Sequence, residues 1–220
     1  MKKAIVIGGT GLVGSHLVRL LLQDERFETV KVFVGRSTGL SHYKLEEYLV
    51  DFDQPQEWRL LVKGSVLFSA LGSTFKQAGS RNAQYKIDYT YQYQFAEAAA
   101  KNGVGIYVLL SASNASVDSV VFYARMKAAL EEEVKKLPFL NIHILRPGPM
   151  EGSQETEEPL EKVYAFFVKG LNKIGLFKSL RPISGKAVAK AMINASFLNN
   201  DRMEVYPLHS IFSLAQRGNS

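Results

Sequence analysis

The sequence predicts an α/β protein with a doubly wound Rossmann fold, in which helices cover both faces of one parallel sheet. Most of the predicted strands are apolar throughout, which is typical of strands buried on both faces. They alternate with segments of helical spacing, as in a chain of βαβ units. The first strand leads directly into a glycine-rich stretch at residues 8–14. The simplest strand order for such a chain is 3-2-1-4-5-6.

Six strands are predicted before residue 148, and the third of them has the weakest pattern. They cover residues 4–7, 29–34, 45–50, 65–71, 105–110 and 141–145. The helices between them cover residues 11–23, 55–62, 83–102 and 120–136. Pro55 lies in the first turn of the second helix, where proline is tolerated, and Gly103 ends the third.

The pattern is looser after residue 148. It predicts helices at 160–171, 185–198 and 211–215 and a strand at 203–206. No repeat, low-complexity tract or linker separates this part from the rest. We therefore predict a single NAD(P)-binding domain over residues 1–220, with a cofactor-binding core at 1–148 and a substrate-side segment at 149–220.

The composition excludes several classes of function. The chain has no cysteine, which rules out disulfides, thiolate catalysis and cysteine-ligated metals. It carries 27 Lys and Arg against 21 Asp and Glu, but the basic residues are scattered, so we expect no nucleic-acid partner. The four histidines show no ligand spacing, and no metal is expected.

The lengths of the apolar segments bear on the cellular location of the protein. Residues 104–110 form the longest run after the first strand, far short of the roughly 20 residues that span a bilayer. The N-terminal apolar run is too short for a signal peptide. We therefore expect no membrane association and a cytoplasmic location.

The glycine-rich stretch predicts a pyrophosphate site. Its pattern is G-x-x-G-x-x-G, formed by Gly8, Gly11 and Gly14 after the first strand and at the start of the first helix. Glycine lets the backbone approach phosphates, and a helix N-terminus supplies free N–H groups with a positive dipole end. The intervening residues of the predicted site are Thr10, Leu12 and Val13.

The end of the second strand favours NADP(H) over NAD(H). Glu28 stands 20 residues after Gly8, but it precedes the predicted strand and so lies at the wrong end of the sheet. The correct end carries Arg36 and Ser37, and an arginine there can bind a 2′-phosphate through paired N–H donors. Asp51 is a candidate acceptor for the adenine amino group, or simply a turn aspartate.

Two further segments lie at the same edge of the predicted sheet. Leu71 and Gly72 follow the fourth strand, where glycine would let the backbone pass the adenosine side of the cofactor. Ser111 and Ser113 follow the fifth strand. Ligands of this fold bind at the carboxyl ends of the strands, so both segments are candidates for the site.

The last motif is Y-x-x-x-K, formed by Tyr123 and Lys127. The two residues are four apart on one helix face. With the preceding features, this motif makes the chain resemble the short-chain dehydrogenase/reductase superfamily over nearly its whole length. Within it, the chain looks most like the atypical NAD(P)-binding group, which includes the Tat-interacting-protein type of oxidoreductase and NmrA-like proteins. The resemblance also rests on residues 146–148 and 182–183.

The resemblance implies a role for each residue. Tyr123 would give a proton to a carbonyl oxygen, and a nearby Lys127 ammonium would lower its pKa from the ordinary phenol value of about 10. Lys127 would also bind the nicotinamide ribose. The hydroxyl that holds the substrate oxygen would come from Ser113 or, in a second alignment, from Ser111. Pro147 would lie along the nicotinamide.

One residue departs from the family pattern. Many members carry an asparagine that supports a proton relay in the helix after the fourth strand, and this chain has Asp88 at that position.

The sequence therefore leaves two hypotheses open. The first is an NADP(H)-dependent reductase of a small, uncharged carbonyl or quinone, and the second is a non-catalytic module that senses NADP(H) or binds a protein. A sugar-nucleotide epimerase is disfavoured because about 70 residues follow position 148, few for a substrate domain.

An aromatic stripe adds one expectation about assembly. Tyr85, Tyr89 and Tyr93 are spaced four apart on the long third helix, which is typical of packing or interface residues. This face is therefore a candidate homodimer contact.

Overall fold

The computed structural model describes residues 1–151, 182–199 and 201–218 of the chain. These residues form one seven-stranded sheet in the order β3-β2-β1-β4-β5-β6-β7, and all neighbouring strands are parallel. The predicted fold class is therefore confirmed. The predicted order of six strands is also confirmed, and a seventh strand continues it at the β6 edge.

The strands and helices have the following bounds. The strands are β1 Lys2–Ile7, β2 Phe27–Val34, β3 Leu45–Leu49, β4 Val66–Ser69, β5 Ile106–Leu110, β6 Asn141–Arg146 and β7 Met203–Pro207. The described α-helices are α1 Gly14–Gln23, α2 Pro55–Trp58, α3 Phe75–Ala78, α4 Arg81–Tyr85, α5 Gln92–Lys101, α6 Phe122–Val134, α7 Gly185–Ala195 and α8 Leu208–Gln216. A 3₁₀ turn, Arg59–Leu61, follows α2, and a π-helical turn, Lys86–Tyr91, joins α4 to α5.

Several predicted elements need correction. The helix predicted at 55–62 is only one α-helical turn, Pro55–Trp58, followed by the 3₁₀ turn. The helix predicted at 83–102 begins two residues earlier and is widened in its middle by the π-helical turn. The short helix α3 was not predicted. The helix predicted at 160–171 lies outside the described residues.

The core has two layers, one on each face of the sheet. Alternate residues of a strand point to opposite faces, so Ala4 and Val6 pack with α1 and α7 while Ile5 and Ile7 pack with α5. Trp58 stacks on Phe95 in the second layer, with ring centroids 3.8 Å apart. Burial on both faces is the reason that residues 4–7 of β1 are apolar at consecutive positions.

The parallel arrangement places every strand's carboxyl end at the same edge of the sheet. The loops after β1, β2, β4, β5 and β6 therefore meet there, and this edge is called the carboxyl edge below. Met150 pairs with Ile183 in an isolated parallel bridge just beyond β6. The chain thus returns to the carboxyl edge immediately before α7.

Candidate functional site

The glycine turn between β1 and α1 has no room for a side chain at Gly8 or Gly14. Gly8 has a φ of 81°, a conformation that favours glycine, and it packs against the backbone of Ala70 after β4. A Cβ on Gly14 would lie 2.0 Å from the carbonyl oxygen of Gly8. The turn is closed by a hydrogen bond from the Gly11 N–H to the same oxygen, 3.0 Å long. This is a backbone cradle at a helix N-terminus, and it fits the pyrophosphate of a dinucleotide.

A cavity of about 270 Å³ lies beside this turn. Its lining includes Gly9, Thr10, Ser15, Arg19, Arg36 and Ser37. Arg36 therefore lies at the predicted place, at the end of β2 and next to the glycine turn. Arg19 was not predicted, although its spacing of four residues from Ser15 puts both on one face of α1 and could have identified it.

The loop that carries Arg36 is fixed by Glu47 of the neighbouring strand β3. The Ser37 hydroxyl and the Thr38 N–H donate to the Glu47 carboxylate at 2.6 and 2.8 Å, and the Thr38 hydroxyl donates as well. Burial alone would raise the pKa of Glu47, but these hydrogen bonds lower it below its ordinary value. Ser37 thus orders the loop, although it also lines the cavity.

Asp51 and Glu28 lie away from this cavity. Oδ1 of Asp51 accepts the Asp53 N–H at 2.8 Å, and the Asp51 carbonyl accepts the indole N–H of Trp58. Glu28 is the second residue of β2, at the amino end of the sheet, where its carboxylate lies 3.8 Å from Lys3. Among the predicted adenosine-side residues, the structure therefore brings Arg36 and Ser37, but not Asp51, to the cavity lining.

The Tyr–Lys pair lies on α6. Lys127 is 2% exposed, and its Nζ lies 5.7 Å from the centre of the Tyr123 ring. The same Nζ lies 3.4 Å from Oδ1 of Asp88, which is fully buried. Burial lowers the pKa of Lys127, but Tyr123 and Asp88 oppose this more strongly, so the pKa is raised above its ordinary value. Lys127 is therefore a protonated, buried cation.

Asp88 is held in place from two sides. The Ser73 N–H and hydroxyl donate to its Oδ2 at 2.8 and 2.7 Å. Its backbone carbonyl accepts the side-chain amide of Gln92 at 2.7 Å. Gln92 in turn accepts from Ser69 at the end of β4. This anchoring was not predicted, and the sequence carries no spacing signal for a π-helical turn.

Gly72 lies against this carboxylate. A Cβ at Gly72 would come within 3.2 Å of Oδ1 of Asp88. The glycine therefore admits the Asp88 side chain to the carboxyl edge. Leu71, beside it, packs partly against the core layer that contains Phe95.

The two candidate serines have different surroundings. Ser111 is buried, and its hydroxyl donates to Oε1 of Glu131 at 2.5 Å. Ser113 is exposed, and its backbone N–H bonds to the carbonyl of Pro147 at 3.0 Å. Ser113 and Pro147 are thus adjacent at the carboxyl edge, whereas the hydroxyl of Ser111 is directed to the interior.

Glu131 was not singled out from the sequence. It lies four residues after Lys127 and eight after Tyr123, so the three share one face of α6. Its carboxylate also accepts two hydrogen bonds from Arg146. The spacing in α6 is the signal that could have identified it.

The tyrosine stripe forms a stack on the surface of the long helix. The ring centroids of Tyr85 and Tyr89 are 4.7 Å apart, and those of Tyr89 and Tyr93 are 6.3 Å apart. Tyr85 is 39% exposed.

The described ranges contain no cluster of three potential metal ligands, and no helix in them is long and apolar enough to cross a membrane.

These features define a doubly wound, Rossmann-like α/β fold with a glycine turn after its first strand, and solved structures have the same fold. A UDP-glucose 4-epimerase from Thermotoga maritima has a TM-score of 0.66 at 16% identity, covering 97% of this chain and 81% of its own. A short-chain dehydrogenase/reductase superfamily protein from Agrobacterium tumefaciens, with bound NAD, has a TM-score of 0.69 at 14% identity, covering 93% and 77%. At these identities the likeness establishes the fold.

Sequence relatives define the family more narrowly. The chain belongs to the HIM1 family, whose sequence model matches residues 41–178. Protein fmp52-1, mitochondrial, of Aspergillus terreus is 34% identical over 205 residues, which cover 89% of this chain and 87% of the relative. Protein fmp52, mitochondrial, of Emericella nidulans is 33% identical over 204 residues, with the same coverage. These matches do not confirm the narrower resemblance to the Tat-interacting-protein or NmrA-like groups.

The relatives correct one expectation. The sequence was interpreted as that of a cytoplasmic protein, but its fungal relatives are named as mitochondrial proteins. The expectation of a cytoplasmic location is therefore wrong. It followed from the absence of a recognisable export signal, and that absence does not distinguish between compartments inside a cell.

Proposed function

We propose that this protein is an NADP(H)-dependent oxidoreductase that reduces a small, uncharged carbonyl or quinone. The observation that carries the proposal is the position of Tyr123 and the buried Lys127 at the same sheet edge as the glycine turn. In the proposed site, Tyr123 is the proton donor and the glycine turn is the cradle for the dinucleotide. That combination serves hydride-transfer chemistry.

The preference for NADP(H) is supported by two arginines. Arg19 and Arg36 line one cavity beside the glycine turn. Guanidinium groups bind phosphate oxygens through paired N–H donors, so two of them favour a 2′-phosphate over a 2′-hydroxyl. Among the described residues, no carboxylate lines this cavity.

Each residue of the site then has a chemical role. The bound nicotinamide would supply the hydride that adds to the carbonyl carbon. Tyr123 gives its phenolic proton to the carbonyl oxygen, and Ser113 holds that oxygen with its exposed hydroxyl. Lys127 orients the ribose and stabilises the phenolate that remains. Ser111 orders the end of β5 through Glu131 and does not touch substrate.

We further propose that the protein acts in mitochondria, as the names of its relatives indicate for them. We expect its partners to be small molecules and neither nucleic acid nor a membrane. A second copy of the chain would be able to pack against the stacked tyrosines Tyr85, Tyr89 and Tyr93. Analytical ultracentrifugation of the wild type beside a Tyr85→Ser variant tests that contact.

One observation favours a second candidate function. The Asp88 carboxylate lies 3.4 Å from the Lys127 ammonium, so the cation that usually activates the tyrosine is already paired. A protein that binds NADP(H) as a sensor, without turnover, is the function that this pairing would permit. The two candidates differ in whether any carbonyl is consumed.

The test is NADPH oxidation with a panel of aldehydes, ketones and quinones, using the wild type, Tyr123→Phe and Tyr48→Phe. Tyr48 lies on the edge strand β3 and serves as the matched control. We expect turnover by the wild type and Tyr48→Phe, no turnover by Tyr123→Phe, and NADPH binding by all three. NADPH binding without turnover in the wild type would favour the sensor. Failure of the wild type to bind NADPH or NADH would reject both candidates.

A further inference from the structure

A second cavity, of about 440 Å³, lies at the opposite end of α1 from the glycine turn, and is called the far cavity below. Its described lining comes from the last turns of α1, the second half of α7 and the two residues that follow α8. The far cavity and the cavity beside the glycine turn share none of their described lining residues. A ligand in the far cavity would therefore leave the dinucleotide cradle open.

The far cavity carries two cations that have no partner in the described part of the chain. Lys190 of α7 and Arg217 after α8 both line it, and both are exposed. Neither forms a salt bridge with a described residue. Ammonium and guanidinium groups both bind anionic oxygens through charge-assisted hydrogen bonds. Two of them beside one cavity favour an anionic ligand.

The carboxylate in the lining is already bound to another residue. Asp24 is buried, and its oxygens accept hydrogen bonds from Nε of Arg26 at 2.9 Å and from Nη2 at 2.7 Å. Burial raises the pKa of Asp24, but the hydrogen bonds from Arg26 oppose this more strongly, so the pKa lies below its ordinary value. The charge of Asp24 is thus balanced by Arg26, and the net charge of the described lining remains positive.

Asn194 adds a hydrogen-bond acceptor to the lining. It is 9% exposed, and its Nδ2 donates to the carbonyl oxygens of Leu214 at 2.9 Å and Arg217 at 3.1 Å. These two bonds fix the orientation of the amide. Among the described residues no donor reaches its Oδ1. Because Asn194 lines the far cavity, this oxygen is available to an O–H or N–H donor of a ligand there.

The rest of the lining includes apolar surface. Ile193 is buried in the core layer between α1 and α7, and Leu20 packs against the same layer. Both line the far cavity. A site with apolar walls and a few polar groups is typical of one that binds an organic molecule, which an inorganic anion cannot match.

We propose that the far cavity binds a small organic acid that carries a hydroxyl or amino group beside its carboxylate. The carboxylate binds Lys190 and Arg217. The hydroxyl or amino group donates to Oδ1 of Asn194, and the carbon skeleton lies against Leu20 and Ile193. The proposal does not rest on the proposed function, because binding here needs neither a dinucleotide nor turnover.

The test is isothermal titration calorimetry of the full chain, without dinucleotide, against L-malate and L-glutamate. Succinate and glutarate are the same two acids without the hydroxyl or amino group, and inorganic phosphate is an anion without a carbon skeleton. We expect saturable binding of malate or glutamate, whichever donor fits, and at least about tenfold weaker binding of its donor-free counterpart and of phosphate. No saturable binding of malate or glutamate, or equal affinity for the donor-free acids, would overturn the proposal.

Substitutions then locate the binding. Lys190→Gln and Arg217→Gln should each weaken it about tenfold, because a charge-assisted hydrogen bond is lost. Both side chains are exposed, so thermal unfolding without ligand should be unchanged in these variants. The matched control is Lys186→Gln, which removes another exposed lysine of α7 outside the far cavity and should bind as the wild type does. Equal weakening in the control would show a general attraction to surface charge and reject the site.

A double variant distinguishes the two cavities. Arg19→Gln/Arg36→Gln removes the cations beside the glycine turn and should bind the acid with the affinity of the wild type. If it loses this binding while Lys190→Gln keeps it, the acid occupies the dinucleotide site and the proposal is wrong. Failure of the proposed function would be seen separately, as absent NADPH binding or turnover, and would leave the expected acid binding unchanged.

Discussion

Glu131 and Arg146 form a two-point ion pair that joins the middle of α6 to the end of β6. The Nε of Arg146 donates to Oε1 at 3.0 Å, and the Nη2 donates to Oε2 at 2.5 Å. Glu131 is fully buried, and Ser111 at the end of β5 supplies a third donor. The pair therefore fixes α6 against two strands, and with it the positions of Tyr123 and Lys127.

Replacing Glu131 by Gln should lower stability measurably. The variant leaves Arg146 without its carboxylate, and since that arginine is 30% exposed, we expect a loss of about 2 kcal/mol, below the value for a wholly buried pair. Urea unfolding measures it. Glu133→Gln removes an exposed pair with Lys136 and should change stability by less than about 0.5 kcal/mol. Equal losses in both variants would contradict this role of Glu131.

Alanine substitutions of Ser111 and Ser113 should have different effects, one on stability and the other on turnover. Ser111→Ala removes a buried hydrogen bond to Glu131 and should cost about 1 kcal/mol of unfolding free energy. Ser113→Ala should leave stability unchanged and lower kcat about a hundredfold, because the substrate oxygen loses its donor. Urea unfolding and steady-state kinetics on both variants check this. A larger kcat loss in Ser111→Ala would favour the other alignment.

The glycine turn should tolerate alanine at one position and not at another. A Cβ on Gly14 meets the Gly8 oxygen at 2.0 Å, whereas a Cβ on Gly11 lies 3.3 Å from it. We expect Gly14→Ala to lose about 3 kcal/mol of stability and Gly11→Ala less than about 1 kcal/mol. Thermal unfolding without any nucleotide makes the comparison. Similar melting temperatures for the two variants would show that the turn can relax.

The two cavity arginines should determine which dinucleotide binds more tightly. Arg19→Gln and Arg36→Gln should each weaken NADPH binding about tenfold while changing NADH binding little, because charge-assisted hydrogen bonds to the 2′-phosphate are lost. Isothermal titration calorimetry gives both affinities. Arg59→Gln, in the 3₁₀ turn outside the cavity, is the control. If the variants lose as much affinity for NADH as for NADPH, Arg19 and Arg36 do not bind the 2′-phosphate.

His143 should make the protein less stable in mild acid. Burial lowers the pKa of this imidazole to about 4 from the ordinary 6.5, although Glu204 opposes the shift. Between these values the unfolded chain binds a proton that the folded chain does not, so stability falls as pH decreases, by at most about 1.4 kcal/mol per pH unit. Urea unfolding from pH 7 to pH 4 follows this slope.

The variant His143→Gln should flatten that dependence on pH. His209 lies on the exposed side of α8, and His209→Gln should retain the slope of the wild type. If His143→Gln keeps the full slope, the acid sensitivity arises from other groups.

Sequence patterns predicted the fold best where a physical constraint allows only a few residue types at a position. The apolar strands and the glycine spacing defined the sheet and the turn after β1 because burial on both faces and a missing Cβ each restrict the residues allowed. The sequence could place Arg36 at the carboxyl edge because it directly follows a predicted strand. For Glu131 and Arg19, the helical spacing indicates only which helix face they share with Lys127 and Ser15. Their contacts with Arg146 and with the residues at the end of β2 depend on how distant parts of the chain pack together.

The widened turn at Lys86–Tyr91 holds one more residue than an α-helical turn of the same rise. Deleting that residue would close the turn and rotate everything before it by about 100° relative to α5. Asp88 would swing away from Lys127, and Tyr85 would leave the row it shares with Tyr93. A single codon therefore links the contact between Asp88 and Lys127 to the outer surface of the helix, and a deletion cannot alter one without altering the other.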